Sequence, residues 1–562
     1  MLGGILLALL GVFALWPPPP ASAPAYSNIL PGDYVGPAVC AECHEDKRKL
    51  WLTHPHSRMN QLVTTATVKG DFANARVDYA GSTFVFGRAG GRFTMEEQRG
   101  GKPLRSFTMV LTVGSTFQQM YIGMQTAGPE PRDSALYHNQ LKMPFGYWFQ
   151  LGRWLPVAYF DTDPFPPEYD AQGRFSHDTR EPLKYTHWQP NCARCHNTYP
   201  YENTLVSGGA RAGFPLADVN LTATLAEPAQ FERARRGLLL LSDLVTTGVS
   251  CESCHFGGRE HAKNQQPPRF VPQGERLEFP KATPELIAGA RKNPYVINAI
   301  CAQCHSAHVA VFANGAGVIN SREASDLLAG ACVSKLHCVH CHEPHTPLPP
   351  PAKRDLPARF EAEAARCLPC HAAYADPARR RQHQGHAPAA GVTCLDCHMP
   401  RISQGLEAVV HSHRISLPVE ASMVAAGHPN ACNLCHLDRS LAWTLEQLSK
   451  LWGKTLAKSP DWARLYGEHL EKPVGEVWAT HKQSIVRLVA ADAHSREHAV
   501  GRSPKEVLRV LDDPHAVNRV FGLLALQHLL GRKVSQAEYD PLEPSAVRTR
   551  QAADLVRLLP AR

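Results

Sequence analysis

Cysteine and histidine recur in one arrangement along this chain of 562 residues. Sixteen of the 17 cysteines form eight Cys-x-x-Cys pairs, and histidine follows each pair immediately. The pairs begin at Cys40, Cys192, Cys251, Cys301, Cys338, Cys367, Cys394 and Cys432, and are here called the first to the eighth motif. Cys-x-x-Cys-His is the attachment sequence for c-type haem. The pattern therefore predicts eight covalently bound haem c groups.

In each motif the two thiols would form thioether bonds to the haem vinyl groups, and the histidine would be the proximal ligand of the iron. The thioether cysteines are then Cys40, Cys43, Cys192, Cys195, Cys251, Cys254, Cys301, Cys304, Cys338, Cys341, Cys367, Cys370, Cys394, Cys397, Cys432 and Cys435. The proximal ligands are His44, His196, His255, His305, His342, His371, His398 and His436.

Zinc sites and redox disulfides also use Cys-x-x-Cys, but neither requires the following histidine. Histidine accounts for about one residue in twenty, so eight chance occurrences have a probability on the order of 10⁻¹⁰. Haem attachment is therefore strongly favoured. No motif carries lysine in place of histidine, so a catalytic lysine-ligated haem is not indicated.

Low-spin electron-transfer haems use a second axial histidine, and the chain has 29 histidines. The candidate distal ligands, chosen because they lie near the motifs, are His54, His56, His187, His261, His308, His345, His383, His386, His411 and His428. His413 also lies between the seventh and eighth motifs. A histidine beside haem can instead bond a propionate, so the pairing stays open.

Two other groups of residues receive less specific interpretations. Cys332 belongs to no motif and is interpreted as a small buried hydrophobic residue, with a sulfur ligand or free thiol as the alternative. The C-terminal histidines are interpreted as surface or core residues. They are His469, His481, His494, His498, His515 and His528.

The formal net charge of +8 would also suit a nucleic-acid-binding protein. A bis-histidine ferric haem with two ionised propionates carries a charge of about −1, and bound ions belong in the charge count. Eight such haems would nearly cancel the excess of lysine and arginine. We therefore expect propionate pairing and no nucleic-acid partner.

The N-terminus has the composition of an export signal. Residues 1–16 are apolar and are followed by four prolines and then by Ala21-Ser22-Ala23, which predicts a signal peptide over 1–23. The apolar run lacks lysine and arginine, so an uncleaved membrane anchor is the alternative. Since c-type haem is attached outside the cytoplasm, we expect the protein in the periplasm or on the extracellular side of a bacterial membrane.

The segments between the motifs differ in character. Residues 83–86, 107–113 and 119–124 alternate apolar and polar positions and predict strands of an inserted β domain between the first two motifs. The later motifs are too closely spaced for separate hydrophobic cores, so the haems themselves are expected to form the core. Residues 440–451, 516–530 and 544–559 predict helices, and 503–506 predicts a capping box with proline at the first helical position.

Several stretches resemble multihaem cytochromes of the superfamily that includes cytochrome c-554, pentahaem nitrite reductase and octahaem hydroxylamine oxidoreductase. They are residues 34–36 and 51–59 around the first motif, GVSCESCHFGGREH at 248–261, CVHCHEPH at 338–345, CLDCHMP at 394–400, and HSHRI at 411–415 before PNACNLCH at 429–436. The resemblance implies distal ligation by His261, His345 and His411. Residues 331–337 depart from the family's usual lead-in, and His308 has no clear counterpart.

The predicted fold is mainly α, with little regular structure around a multihaem core, a small inserted β domain, and an α-helical HEAT-like C-terminal region. The expected domains are a signal peptide or anchor at 1–23, a linker and first haem segment at 24–70, the β domain at 71–170, a seven-haem core at 171–440, and the HEAT-like region at 441–562. Deletion of the last region from about Gly453 is expected to leave haem content unchanged and to abolish reduction by a partner.

The motifs favour electron transfer through a chain of mostly bis-histidine haems over conversion of a substrate. Expected partners are other cytochromes or a membrane quinol-linked complex, with membrane association through the N-terminus as an alternative. A second hypothesis is an oxidoreductase acting on hydroxylamine, nitrite, tetrathionate or sulfite at one open haem. A third is a subunit of an extracellular conductive cytochrome assembly. The family contains both carriers and enzymes, so membership alone does not decide.

Overall fold

The computed structural model describes residues 26–79, 81–157, 188–208, 224–225, 241–274, 277–278, 289, 292–307, 309–347, 356–387, 390–496 and 500–558. The predicted signal peptide lies outside these residues, as do the candidate ligands His187 and His308 and the tail residue His498. Among the described helices, none combines the length and apolar character needed to cross a membrane.

A nine-stranded antiparallel sheet follows the first motif. Seven strands run in the order β2-β3-β4-β5-β6-β8-β9, while β1 pairs with β5 and β7 pairs with β6. The strands are β1 (Asn60–Leu62), β2 (Ala75–Tyr79), β3 (Ser82–Ala89), β4 (Arg92–Arg99), β5 (Lys102–Val113), β6 (Gln118–Ala127), β7 (Leu141–Lys142), β8 (Phe145–Trp148) and β9 (Arg153–Pro156). The three stretches predicted as strands are confirmed within β3, β5 and β6.

Alternation of apolar and polar residues explains this sheet. The side chains that turn inward are almost fully buried, among them Phe84, Phe86 and Phe107. Phe86 stacks on Trp154 with 3.8 Å between the ring centres. The β3–β4 hairpin turns at Gly90-Gly91, where both glycines adopt positive φ that other residues rarely tolerate. The sheet begins at Asn60, whereas the sequence predicts a β domain from Asp71 onward.

Short helices and bridges carry the motif region. The helices are α1 (Gly36–Thr53), α2 (Arg194–His196), α3 (Tyr201–Gly208), α4 (Cys251–His255), α5 (Arg259–Asn264), α6 (Pro294–Ala302), α7 (Glu323–Leu328), α8 (Leu356–Ala364), α9 (Pro377–Gln384), α10 (Cys394–His398) and α11 (Ala421–Ala425). The paired short strands are β10 (Asn197–Thr198) with β12 (Thr246–Thr247), β11 (Thr224–Leu225) with β13 (Leu277–Glu278), and β14 (Arg401–Gln404) with β15 (Val409–His411).

The C-terminal region is helical, as the periodicity predicts. Its helices are α12 (Leu441–Trp452), α13 (Trp462–Tyr466), α14 (Val474–Ala479), α15 (Ser484–Ser495), α16 (Pro504–Leu511), α17 (Ala516–Leu530) and α18 (Ser545–Val556). Helix α16 begins at Pro504 as expected, but the predicted capping box is wrong. The Ser503 side chain makes no capping bond, and the buried Glu506 carboxylate pairs with Arg509 instead.

The C-terminal helices and the motif region share one hydrophobic core. Trp462, Trp478 and Val486 from the helices belong to the same buried cluster as Ile319 and Ile402, which lie among the motifs. Both tryptophans are at most 1% exposed. Packing of this kind makes the helices part of the motif region's own core, so they are not a separately folded appendage.

Candidate haem-binding sites

Each described motif forms a tight turn that places its histidine one turn after its first cysteine. The third and seventh motifs are the helices α4 and α10, and the first lies within α1. In the fourth, fifth, sixth and eighth motifs the histidine backbone N–H donates to the carbonyl of the first cysteine, at 2.9 to 3.0 Å. One helical turn brings both thiols and the imidazole to one side of the backbone, as attachment beneath a single ring requires.

Five of the eight motif histidines lie opposite a second histidine. In each pair the two rings are nearly parallel, with interplanar angles of 5° to 28° and ring centres 6.0 to 6.2 Å apart. The pairs are His44 with His261, His255 with His345, His342 with His413, His398 with His383, and His436 with His386.

This separation is too long for direct ring stacking and fits two ligands of one iron. Two imidazoles on opposite faces of a metal have ring centres about 6 Å apart, since each metal–nitrogen bond is about 2 Å long and each nitrogen lies about 1 Å from its ring centre. The flat haem macrocycle fits in the space between the rings. By contrast, His337 and His340 stack directly at 3.6 Å, which leaves no such space. The residues present therefore fit haem.

Hydrogen bonds orient several of these rings. The Nδ1 of His261 donates to the Gln266 carbonyl at 2.6 Å, and that of His386 donates to the Gln384 carbonyl at 2.7 Å. His398 donates in the same way to the Ser416 carbonyl at 2.9 Å. An imidazole that donates through Nδ1 keeps its proton there, so Nε2 is free to bind a metal.

The second, fourth and sixth motif histidines have no histidine ring opposite them within the described residues. His305 of the fourth motif donates from Nδ1 to the Glu323 carboxylate at 2.9 Å. Burial lowers the pKa of His305, but the Glu323 carboxylate outweighs burial and the net pKa is raised. Burial opposes ionisation of Glu323, yet its bond to His305 dominates and lowers the carboxyl pKa to about 2.

Three predicted distal ligands occupy other surroundings. His56 lies near His305, and burial lowers its pKa to about 4. The Nδ1 of His54 accepts the His56 backbone N–H at 3.1 Å, which leaves the proton on Nε2. In His428 both ring nitrogens bond to protein: Nδ1 accepts the Ala313 N–H at 3.0 Å, and Nε2 lies 2.6 Å from the Gln483 side-chain oxygen.

The two histidines of the His-Ser-His triplet at 411–413 lie in different surroundings. His413 lies opposite His342, although the resemblance points to His411. His411 ends β15 and donates from Nδ1 to the Met399 carbonyl, and its Nε2 is buried with no hydrogen-bond partner in the described part of the chain. Burial lowers the pKa of His411 to about 4, so the ring is neutral, as metal binding requires. The sequence signal for His413 is its position between the seventh and eighth motifs, which it shares with His411.

Thiols of different motifs contact one another. Four pairs of neighbouring thiols link the first motif with the third, the second with the fourth, the fourth with the fifth, and the sixth with the seventh. They are Cys40 with Cys251, Cys195 with Cys304, Cys301 with Cys338, and Cys367 with Cys394. In each pair the interaction between the two sulfurs raises the pKa of one thiol and lowers that of the other. The motifs therefore lie side by side in a chain.

Longer electrostatic contacts complete this chain. They join Cys254 to Cys301 and Cys304, Cys341 to Cys367, and Cys397 to Cys432 and Cys435. Cys332 lies within the same range of Cys367 and is half-buried, so it is not the fully buried residue that the sequence suggests. None of the 17 cysteines, all of which the structure describes, forms a disulfide.

The chain is similar to known cytochromes. Residues 381–516 match the family model of cytochrome c552, a segment that contains the seventh and eighth motifs. The crystal structure of the outer cell wall cytochrome OcwA is similar over 94% of this chain and 99% of that chain, with 15% sequence identity and a TM-score of 0.37. No curated protein matches the chain.

The cytochrome c552 match and the motifs within it support a multihaem c-type cytochrome that acts in electron transfer. They also support haem c as its covalently bound cofactor.

Proposed function

We propose that this protein is an exported octahaem cytochrome that transfers electrons through a continuous chain of mostly bis-histidine haems. The observation that carries the proposal is the set of five histidine pairs at 6.0 to 6.2 Å. Each pair joins one motif histidine to a histidine outside the motifs. Such recurrence matches repeated axial ligation, which chance packing of aromatic rings would not produce.

The pairs support a distal ligand for each of five haems. His261 would bind the first haem, His345 the third, His413 the fifth, His383 the seventh and His386 the eighth. His56 is proposed for the second or fourth haem, because it is half-buried and lies near His305. His428 and His54 are proposed to have structural roles, because both ring nitrogens of His428 bond to protein and the Nδ1 of His54 accepts a backbone N–H, which leaves the proton on its Nε2.

The thiol contacts support an order for the haems. They run from the first through the third, fourth, fifth, sixth and seventh to the eighth, and the second lies beside the fourth. Adjacent haems in such an order would be close enough for electrons to tunnel between them. An unbroken series of this length would carry electrons from one end of the motif region to the other.

The proposed location is the periplasm or the extracellular side of a bacterial membrane. It rests on the apolar segment at 1–16 and on the export that c-type haem attachment requires. Other cytochromes or a membrane quinol-linked complex are the proposed partners, since a chain of haems needs a donor at one point and an acceptor at another.

Electron paramagnetic resonance of the oxidised full-length protein tests this proposal. We expect at least five low-spin ferric haems, because five motif histidines face a second histidine. A mainly high-spin spectrum would contradict bis-histidine ligation. A single high-spin haem that binds nitrite, hydroxylamine or sulfite would favour an enzyme.

A further inference from the structure

One short helix combines a run of arginines with a proposed haem ligand. Helix α9 (Pro377–Gln384), here called the arginine helix, carries Arg379, Arg380 and Arg381, followed by His383. His383 lies 6.1 Å from His398 of the seventh motif, with the two rings 5° from parallel. The charged side chains are therefore within about one helical turn of a ligand pair.

The arginine helix is firmly positioned. The Asp376 side chain caps its N-terminus by accepting the Arg379 backbone N–H at 2.8 Å, and Gly385 ends it in a left-handed conformation. Tyr374 stacks on His383 at 4.5 Å, and the Trp452 indole N–H donates to the His383 carbonyl at 2.7 Å. The arginines are thus held at a fixed position relative to the ligand.

The three arginines form a positively charged patch that is largely exposed. Arg379 and Arg381 are exposed and Arg380 is half-buried, and none of the three forms an ion pair in the part of the chain that the structure describes. Arg380 and Glu361 are both electrostatic neighbours of the Cys394 thiol. Nearby Asp376 serves as the helix cap. Three adjacent cations beside one carboxylate, that of Asp376, leave the described residues of this helix with a net positive charge.

The arginine helix lies beside the sixth motif. The turn that follows this motif, beginning at Ala372, packs against the arginine helix. A partner docked on the arginines would thus lie near two consecutive motifs. Other exposed cations, such as Arg92 and Lys102 at the ends of β-strands, lie on the β domain, away from the motifs.

We infer that the arginine helix is the docking surface for an acidic redox protein, which binds there to exchange electrons with this chain. Complementary charge speeds encounter and fixes orientation more than it adds affinity, which suits a transient electron-transfer complex. An anionic membrane could also bind arginines. A redox protein is favoured because this helix carries a proposed haem ligand beside two motifs, and only a redox partner gains from docking close to haems. The inference rests on the proposed electron-transfer function.

A small acidic ferredoxin serves as the probe, and its binding to the haem-loaded full chain is measured by biolayer interferometry at several salt concentrations. The test variant is R379E/R380E/R381E. The control variant is R88E/R92E/K102E, which makes the same change in net charge on the β domain. At low salt we expect the test variant to bind at least about tenfold more weakly and with less salt dependence, and the control to bind like the wild type.

Equal affinity of the test variant and the wild type would overturn the inference, and so would an equal loss in the control. The milder R379Q/R380Q/R381Q variant should lose ferredoxin affinity to an intermediate extent. If it binds like the wild type while R379E/R380E/R381E loses haem, the weaker binding of the charge-reversed variant reflects haem loss, and this too would count against docking. Vesicles containing anionic lipid form a separate arm. If only vesicle binding depends on the arginines, the surface binds membranes and the inference is wrong.

Haem content and spin state of each variant separate this inference from the proposed function. Unchanged low-spin spectra with lost ferredoxin binding support both. Unchanged spectra with unchanged binding overturn the docking surface alone. High-spin spectra in the wild type would remove the proposed function, whatever the ferredoxin does.

Discussion

Truncation after Gly453 is expected to abolish a soluble, haem-loaded protein. The deletion removes Trp462, Trp478 and Val486 from the cluster that they share with Ile319 and Ile402 of the motif region. Each large buried side chain contributes about 1.5 to 3 kcal/mol, so loss of these three alone removes about 4.5 to 9 kcal/mol of the roughly 5 to 15 kcal/mol that stabilises an ordinary domain. The measurement is the amount of soluble protein and its haem absorbance after expression in a host that attaches c-type haem.

A pair of point variants gives the matched comparison. Trp478→Ala should destabilise the protein by about 3 to 5 kcal/mol because Trp478 is 0% exposed within the shared core. Leu558→Ala should change stability by less than about 0.5 kcal/mol because Leu558 is 58% exposed. A truncated protein that remained soluble with full haem content would show that the helices are separable, as the sequence alone suggests.

Replacement of His345 by alanine is expected to convert one haem, the third, from low-spin to high-spin. His345 lies 6.2 Å from His255 of the third motif, and its Nδ1 donates to Glu343, which leaves Nε2 for iron. Loss of a strong axial ligand opens the sixth coordination position. A new high-spin ferric signal, accounting for one haem per chain, should appear in the electron paramagnetic resonance spectrum and disappear when imidazole is added.

His428→Ala is the matched control, since the sequence marks both histidines as candidate ligands. Both ring nitrogens of His428 bond to protein, so its loss should leave every haem in its original spin state and lower thermal stability. A high-spin haem in the His428 variant, or none in the His345 variant, would show that the histidine pairs do not report ligation.

Local patterns predicted much of the fold. Alternation located β3, β5 and β6, and helical periodicity located α17 at its observed bounds. The capping box failed because a buried Glu506 found Arg509 as a closer partner, which spacing alone does not reveal. The shared core was also missed, since a boundary placed by composition says nothing about which surfaces pack together.

The motifs predict the proximal ligand of each proposed haem site, but the distal ligand depends on tertiary structure. Proximal histidines follow directly from the chain, but the partner of His44 is His261, more than two hundred residues away. Nearness in sequence favoured His54, whose ring instead supports its neighbour His56. His413, and not His411, lies opposite His342 because of where the end of β15 is positioned. The residue types at 411–413 do not predict that position.

The central claim is that eight motifs hold eight covalent haems, and the mass of the intact denatured protein tests it most directly. We expect an increase over the polypeptide mass equal to eight haem groups, with no unmodified thiol except Cys332. The same sample should give eight haem irons per chain by the absorbance of the reduced pyridine complex. A mass equal to that of the bare polypeptide, or thiols that still react with alkylating reagents in the motifs, would contradict the account.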